Sequence, residues 1–378
     1  MSDKLKLLLV AGARPNFMKI APVIRAIQSR PEVFTYVLVH TGQHYDEGMS
    51  EVFFRELNIP APTHYLQVGS ASHAQQTARI MMAFEPVLKE ENPDCVMVFG
   101  DVNSTLACSI VAKKLHFPIA HVEAGLRSGD DRMPEEINRI VTDSVSDFFF
   151  VTEASGLEHL EAEGKDAGKV FLVGHVMIDN LFFEVARLNQ EGGDSSASTP
   201  SVAYGSRFGV VTMHRPSNVD DRVVFEGILS ALAEIAREVP LVFPMHPRTR
   251  AAVERYEIDM PRGVHVLNPL GYREFLKLWK EASLVLTDSG GLQEETTALG
   301  VPCLTMRQNT ERPVTVSEGS NVLVGTDPKR IIDAAREALR GSDDKVRKAR
   351  PALWDGEASE RILDVLKEHL RPKGSIQE

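Results

Sequence analysis

The chain of 378 residues is 43% apolar and sets 42 lysines and arginines against 53 aspartates and glutamates, for a formal net charge of −11. That balance excludes the broad basic face that nucleic acid or an anionic membrane surface requires, and no apolar stretch approaches the roughly 20 residues that span a bilayer. A cytoplasmic protein of about two or three domains is expected, with a sizeable core and with any phosphate site built locally.

The first apolar run, 7–11, ends in Gly12-Ala13-Arg14-Pro15-Asn16-Phe17-Met18-Lys19 and leads into a helical pattern. A helix N-terminus behind a glycine turn offers unpaired N–H groups and about half a positive charge to an anion, and Arg14 and Lys19 could both face one phosphate. An ordinary strand-to-helix turn with surface cations explains this turn equally well. It lacks Gly-x-Gly-x-x-Gly and a Gly-Lys-Ser/Thr ending, which argues against a tightly held dinucleotide or a nucleoside triphosphatase.

Further strands are expected at 36–39, 95–99, 119–122, 148–151 and 170–173, with helices between them. Gly100-Asp101 and Glu123 follow two of these runs, at strand ends where open α/β sheets bind ligands. Asp101 alone reads equally as a cap for a helix starting near Ser104. Glu123, between an apolar strand and Ala124-Gly125, is poorly placed for a solvated face, and burial there suits a general acid or base. Glu135 and Glu136 follow Pro134 at a helix start, where the macrodipole is explanation enough.

The polar stretch 190–201, with Gly192-Gly193-Asp194-Ser195-Ser196, reads as a linker between domains 1–189 and 202–356. Strand patterns resume at 208–212, 241–243, 264–267, 284–287 and 303–306. His214-Arg215 and His246 with Arg248 follow two of them, and Asp288-Ser289-Gly290-Gly291-Leu292-Gln293-Glu294-Glu295 repeats the anion-site signature of the first turn. No spacing suits a metal, and Cys95, Cys108 and Cys303 sit in apolar runs as buried thiols. The fold class is α/β, with parallel sheets covered by helices on both faces.

Several ordered motifs spread over nearly the whole chain resemble the non-hydrolysing UDP-N-acetylglucosamine 2-epimerases: Gly12-Ala13-Arg14-Pro15 with Lys19, His40-Thr41-Gly42-Gln43-His44, Gly100-Asp101, and His121-Val122-Glu123-Ala124-Gly125-Leu126-Arg127. Pro134-Glu135-Glu136 with Asn138-Arg139, His214-Arg215, the Asp288 to Glu295 segment and Thr310-Glu311-Arg312-Pro313 continue the pattern. The resemblance implies two Rossmann-like doubly wound domains in a glycosyltransferase-B arrangement with a cleft between them. It also implies a C-terminal helix within 357–378 packing back on the first domain, a homodimer, and no metal or other cofactor.

Carried over residue by residue, the resemblance implies UDP contacts at Arg14, Lys19, Ser289, Gly290, Gly291, Glu295 and Arg312, with Phe275 against uracil. It implies acid/base carboxylates at Asp101, Glu123 and Glu135, and His214 near the leaving diphosphate. An activating second UDP-N-acetylglucosamine site would involve Gln43, His44 and Arg215. The C2 hydrogen of a 2-acetamido sugar is not beside a carbonyl, so epimerisation is expected through elimination of UDP across C1–C2, a glucal-type intermediate and re-addition. That route needs carboxylates near C2 and cations on the diphosphate. The loop Ser128-Gly129-Asp130-Asp131-Arg132-Met133 is short for the family and Arg132 is an extra cation. A UDP-2,3-diacetamido sugar or uronate substrate, and a UDP-sugar glycosyltransferase of the same fold, therefore stay open.

Overall fold

The computed structural model describes residues 4–42, 57–191, 204–205, 207–341 and 350–371. They divide into two compact units, Met1–Asn180 with Ala352–Glu378, and Leu181–Pro351. The division falls within the helix Val176–Glu191, ahead of the expected linker, most of which lies outside the described residues.

In the first unit the strands are β1 (Leu5–Ala11), β2 (Phe34–His40), β3 (His64–Tyr65), β4 (Cys95–Phe99), β5 (Ile119–Val122), β6 (Phe148–Val151) and β7 (Val170–Leu172). They form one parallel sheet in the order β3-β2-β1-β4-β5-β6-β7. β4 and β5 are buried along their whole length, as the continuous apolar runs require of a sheet covered on both faces. The order reverses between β1 and β4, the place where a doubly wound sheet opens a crevice beyond its strand ends. The turns carrying Gly12 and Gly100 leave the sheet there.

The second unit repeats the plan with β8 (Gly209–Thr212), β9 (Leu241–Pro244), β10 (Val264–Leu267), β11 (Leu284–Thr287), β12 (Cys303–Thr305) and β13 (Asn321–Leu323), in the order β10-β9-β8-β11-β12-β13. Its switch point lies between β8 and β11, paired in register from Leu284↔Gly209 to Thr287↔Thr212. That register sets His214-Arg215 beside Asp288-Ser289. The chain is thus a two-domain α/β protein with two doubly wound sheets, as the alternation of apolar runs and helical patterns predicts. β3 and β13 were not expected. Both are two or three residues long and only partly buried, so neither leaves an apolar run in the sequence.

The helix Ala358–His369 belongs to the first unit. Its first N–H groups, from Ala358 and Ser359, donate to the Asp179 carboxylate at 3.1 and 2.7 Å, and Arg30 pairs with its Glu360 and Asp364. The thiols of Cys95, Cys108 and Cys303 are buried and free, and burial pushes all three above the ordinary cysteine range.

Candidate active site

In the first unit, Asn16 ties the turn after β1 to the end of β4. Its Oδ1 accepts from the Gly12 and Ala13 N–H groups at 3.0 Å each, and its Nδ2 donates to the Phe99 carbonyl at 2.8 Å. One turn further along the same helix, Lys19 reaches across Gly100 to form an ion pair with Glu123. A Cβ at position 100 would stand 2.7 Å from the Lys19 ammonium, so glycine is what admits the lysine there. Both partners are buried, Lys19 5% and Glu123 1% exposed.

Glu123 follows β5 with φ +73°, in the left-handed region that costs a side-chain-bearing residue about 1–2 kcal/mol. The surroundings hold it there. The Glu123 and Ala124 N–H groups both donate to the Phe150 carbonyl, at 3.0 and 3.1 Å. The next residue, Gly125, has φ +77° and lies so close to Gly156 that a Cβ would come within 2.4 Å of its carbonyl oxygen. The turn thus aims the Glu123 carboxylate back beneath Gly100 instead of outward from the sheet.

The helix Pro134–Val145 has the reverse of ordinary amphipathicity. Its buried residues are Glu136, Asn138, Arg139, Thr142 and Asp143, while Ile137 is 50% and Ile140 36% exposed. Arg139 forms an ion pair with the Asp101 carboxylate, and Asn138 donates to the Asp101 carbonyl at 2.8 Å. The expected capping by Asp101 does not occur: Val102 is the cap residue of the helix Asn103–Lys114, and no side chain caps it. The Asp101 carboxylate is spent on Arg139 instead, because the polar face of the neighbouring helix turns toward it. Glu136 accepts from the Ser128 and Gly129 N–H groups at 2.8 and 3.0 Å and so pins the short loop. Burial opposes its charge, but those two donors outweigh it and lower the pKa of the carboxyl. Glu135 is exposed on the first turn. Thus Lys19 and Glu123 are in direct contact beneath Gly100, with Asp101 the next residue along, and Glu135 faces solvent.

Asp288 organises the second unit. Its carboxylate accepts from the His214 and Arg215 N–H groups at 2.9 and 2.8 Å and from Asn218 Nδ2 at 3.2 Å, with His214 Nδ1 3.1 Å away. Burial works against the charge, yet the His214 hydrogen bond and the backbone donors hold the carboxyl below its ordinary range. The His214 side chain keeps 41% of its surface open, and its ring lies 5.3 Å from that of His246. Ser289 precedes the helix Gly290–Leu299, whose N-terminus is capped by no side chain. Glu295 accepts from the Tyr272 hydroxyl at 2.8 Å, and Phe275 lies half-buried one turn along the helix Tyr272–Trp279.

Arg312 pairs with Glu294, and Glu311 takes both ends of the Arg307 guanidinium at 2.7 and 2.9 Å. Burial pushes the Glu311 carboxyl up, but Arg307 prevails and brings it down to about 2. Sequence reasoning assigned no role to Asp288, Glu294 or Arg307. Arg14 opens the first helix, and Gln43 and His44 lie outside the described residues. Among the described residues no three His, Cys, Asp or Glu side chains converge as a metal site would require.

A family model for UDP-N-acetylglucosamine 2-epimerase matches residues 25–367. The chain is 38% identical over 368 residues to the UDP-N-acetylglucosamine 2-epimerase of Methanocaldococcus jannaschii, which spans 96% of this chain and 99% of that one. It is 42% identical over 365 residues to the UDP-2,3-diacetamido-2,3-dideoxy-D-glucuronate 2-epimerase of Pseudomonas aeruginosa, with the same coverage of 96% and 99%. The crystal structure of the M. jannaschii enzyme in complex with UDP-GlcNAc and UDP matches with a TM-score of 0.80 at 37% identity, covering 96% of this chain and 100% of that one. MurG of Acinetobacter baumannii, at 14% identity and a TM-score of 0.57, shares the fold alone.

Proposed function

Because the chain belongs to the UDP-N-acetylglucosamine 2-epimerase family, we propose that it interconverts UDP-N-acetylglucosamine and UDP-N-acetylmannosamine. The observation that carries this reading furthest is the buried Glu123 carboxylate, paired with Lys19 in a turn that the backbone alone disfavours. Strain of this kind is maintained where a side chain must be aimed. Glu123 and Asp101 are the groups that take the C2 proton and return it to the opposite face, with the exposed Glu135 as the third carboxylate. As the C2 proton leaves, the C1–O bond to UDP breaks and its electron pair departs with the diphosphate; re-addition reverses the step. Arg14, Arg312, His214 and the uncapped helix N-terminus at Ser289, Gly290 and Gly291 stabilise the leaving diphosphate. Glu295 holds the ribose hydroxyls and Phe275 lies against uracil. Lys19, spent on Glu123, acts on the carboxylate first and on the phosphates second.

A second reading has its own support. The P. aeruginosa relative at 42% identity is named for a UDP-2,3-diacetamido-uronate, and the short loop pinned by Glu136 carries Arg132, 90% exposed and paired with Asp130, a cation that a sugar carboxylate would have to win from that partner. Incubating the protein with each nucleotide sugar and resolving the 2-epimers by chromatography decides between them. Product from neither would overturn both readings. We place the protein in the cytoplasm, where nucleotide sugars are found; among the described residues no helix is long and apolar enough to cross a membrane. A homodimer belongs to the same reading, supported by the outward Met82 and Ile137 and tested by sedimentation velocity. An activating UDP-sugar site with Arg215 would show as sigmoidal dependence of rate on substrate.

A further inference from the structure

The two oxygens of Asp143 reach toward the turns that carry Asp101 and Glu123. Oδ1 accepts from His121 Nδ1 at 2.7 Å, while Oδ2 accepts from the Gly125 N–H at 3.1 Å and lies 2.8 Å from the Arg127 guanidinium. The other ring nitrogen of His121 donates to the Gly100 carbonyl at 2.9 Å. His121 and Asp143 are both fully buried. A chain of hydrogen bonds therefore runs from the Gly100 carbonyl, next to Asp101, through His121 and Asp143 to the amide of Gly125, two residues past Glu123. His159 closes the far side of the same turn, its Nδ1 donating to the Gly125 carbonyl at 2.9 Å. Burial opposes charge on Asp143, but His121 and Arg127 outweigh it and hold the carboxyl below its ordinary range.

We propose that Asp143, acting through His121, is a positioning residue: it fixes the spacing between the Asp101 turn and the Glu123 turn and keeps Glu123 in its left-handed conformation. The proposal rests on the functional reading above for its consequence in turnover, and on geometry alone for the strut itself. The two acceptor oxygens carry the strut. Alanine removes both at once and leaves His121, the Gly125 N–H and Arg127 without their acceptor, whereas asparagine can keep the chain, its NH2 donating to His121 Nδ1 and its oxygen accepting from the Gly125 N–H. A catalytic group displaced by about 1 Å loses on the order of a hundredfold in rate.

The test is Asp143→Ala, with melting temperature, UDP affinity, kcat and KM measured on one preparation, alongside Glu123→Gln and the double variant. The expected result is a kcat lower by roughly 10- to 100-fold with UDP affinity within about twofold of the parent. The loss in the double variant should fall well short of the product of the two single losses, because Asp143 acts in large part by placing Glu123. A kcat within about threefold of the parent per folded molecule, or losses that multiply in the double variant, would overturn the proposal. Should Asp143→Ala not fold, His121→Gln interrupts the same chain and is read the same way. If the parent turns over no UDP-sugar, the functional reading fails, and amide hydrogen exchange at Gly125 then decides the strut: protection unchanged by Asp143→Ala would overturn it.

Discussion

Glu123 and Lys19 show how a single pair changes what a mutation can reveal. A merely structural role for Glu123 predicts that Glu123→Gln loses thermal stability while turnover of the folded fraction stays largely intact. With Lys19 buried against it, that variant strands an ammonium whatever the role of Glu123, and breaking a buried pair from one side costs about 3–5 kcal/mol. Melting temperature therefore falls in either case, and turnover per folded molecule decides. Glu123→Gln is expected to lose about a hundredfold or more in kcat while keeping its affinity for UDP. Near-normal turnover would remove Glu123 from the chemistry. In the second unit, Arg312→Ala should weaken UDP binding by about 1.5–3 kcal/mol, the range for hydrogen bonds to charged groups, and titration calorimetry on UDP alone measures it.

Glu311 supplies a pH dependence of known sign. Its carboxyl is lowered to about 2 in the folded chain, so the stability it contributes is fully present above the ordinary glutamate value and is lost as pH falls through that value toward 2. The advantage of the parent over Glu311→Gln in melting temperature should therefore shrink between about pH 5 and pH 3. An advantage that grew over that range would mean the Arg307 pair does not hold the charge.

At the scale of elements, the turn after β5 is the most constrained piece of the first site. Gly125→Ala places a methyl in the left-handed region and against the Gly156 backbone, so a loss of at least about 2 kcal/mol in denaturant unfolding is expected. A neutral Gly125→Ala would mean that the two glycines do not pack as described. The central strands were legible because a sheet covered on both faces needs unbroken apolar runs, and the turns at Gly12 and Gly290 were legible as strand-to-helix corners because glycine marks such a corner. Glu136 and Asp143 were harder to see. Their partners, Ser128 and Gly129 for one and His121, Gly125 and Arg127 for the other, are fixed by tertiary packing and not by the spacing of neighbours along the helix. A signal was nevertheless present: Glu136, Arg139 and Asp143 recur at i, i+3 and i+7, and a polar stripe at helical spacing opposite Ile137 and Ile140 can be the inward face. The left-handed Glu123 carries no sequence signal, since non-glycine residues are rare there.

Across the whole chain, two sheets of the same winding each place their loops at a switch point, one dominated by paired carboxylates and the other by histidine, arginine and an open helix N-terminus. That division matches the two needs of an elimination, proton transfer at carbon and charge stabilisation at the leaving diphosphate. The central claim is that the C2 hydrogen leaves as a proton to a carboxylate. Incubation with UDP-N-acetylglucosamine in D2O, followed by proton NMR with no nicotinamide added, tests it directly. The expected product is UDP-N-acetylmannosamine carrying deuterium at C2; epimerisation that retains the original hydrogen would contradict the carboxylate mechanism.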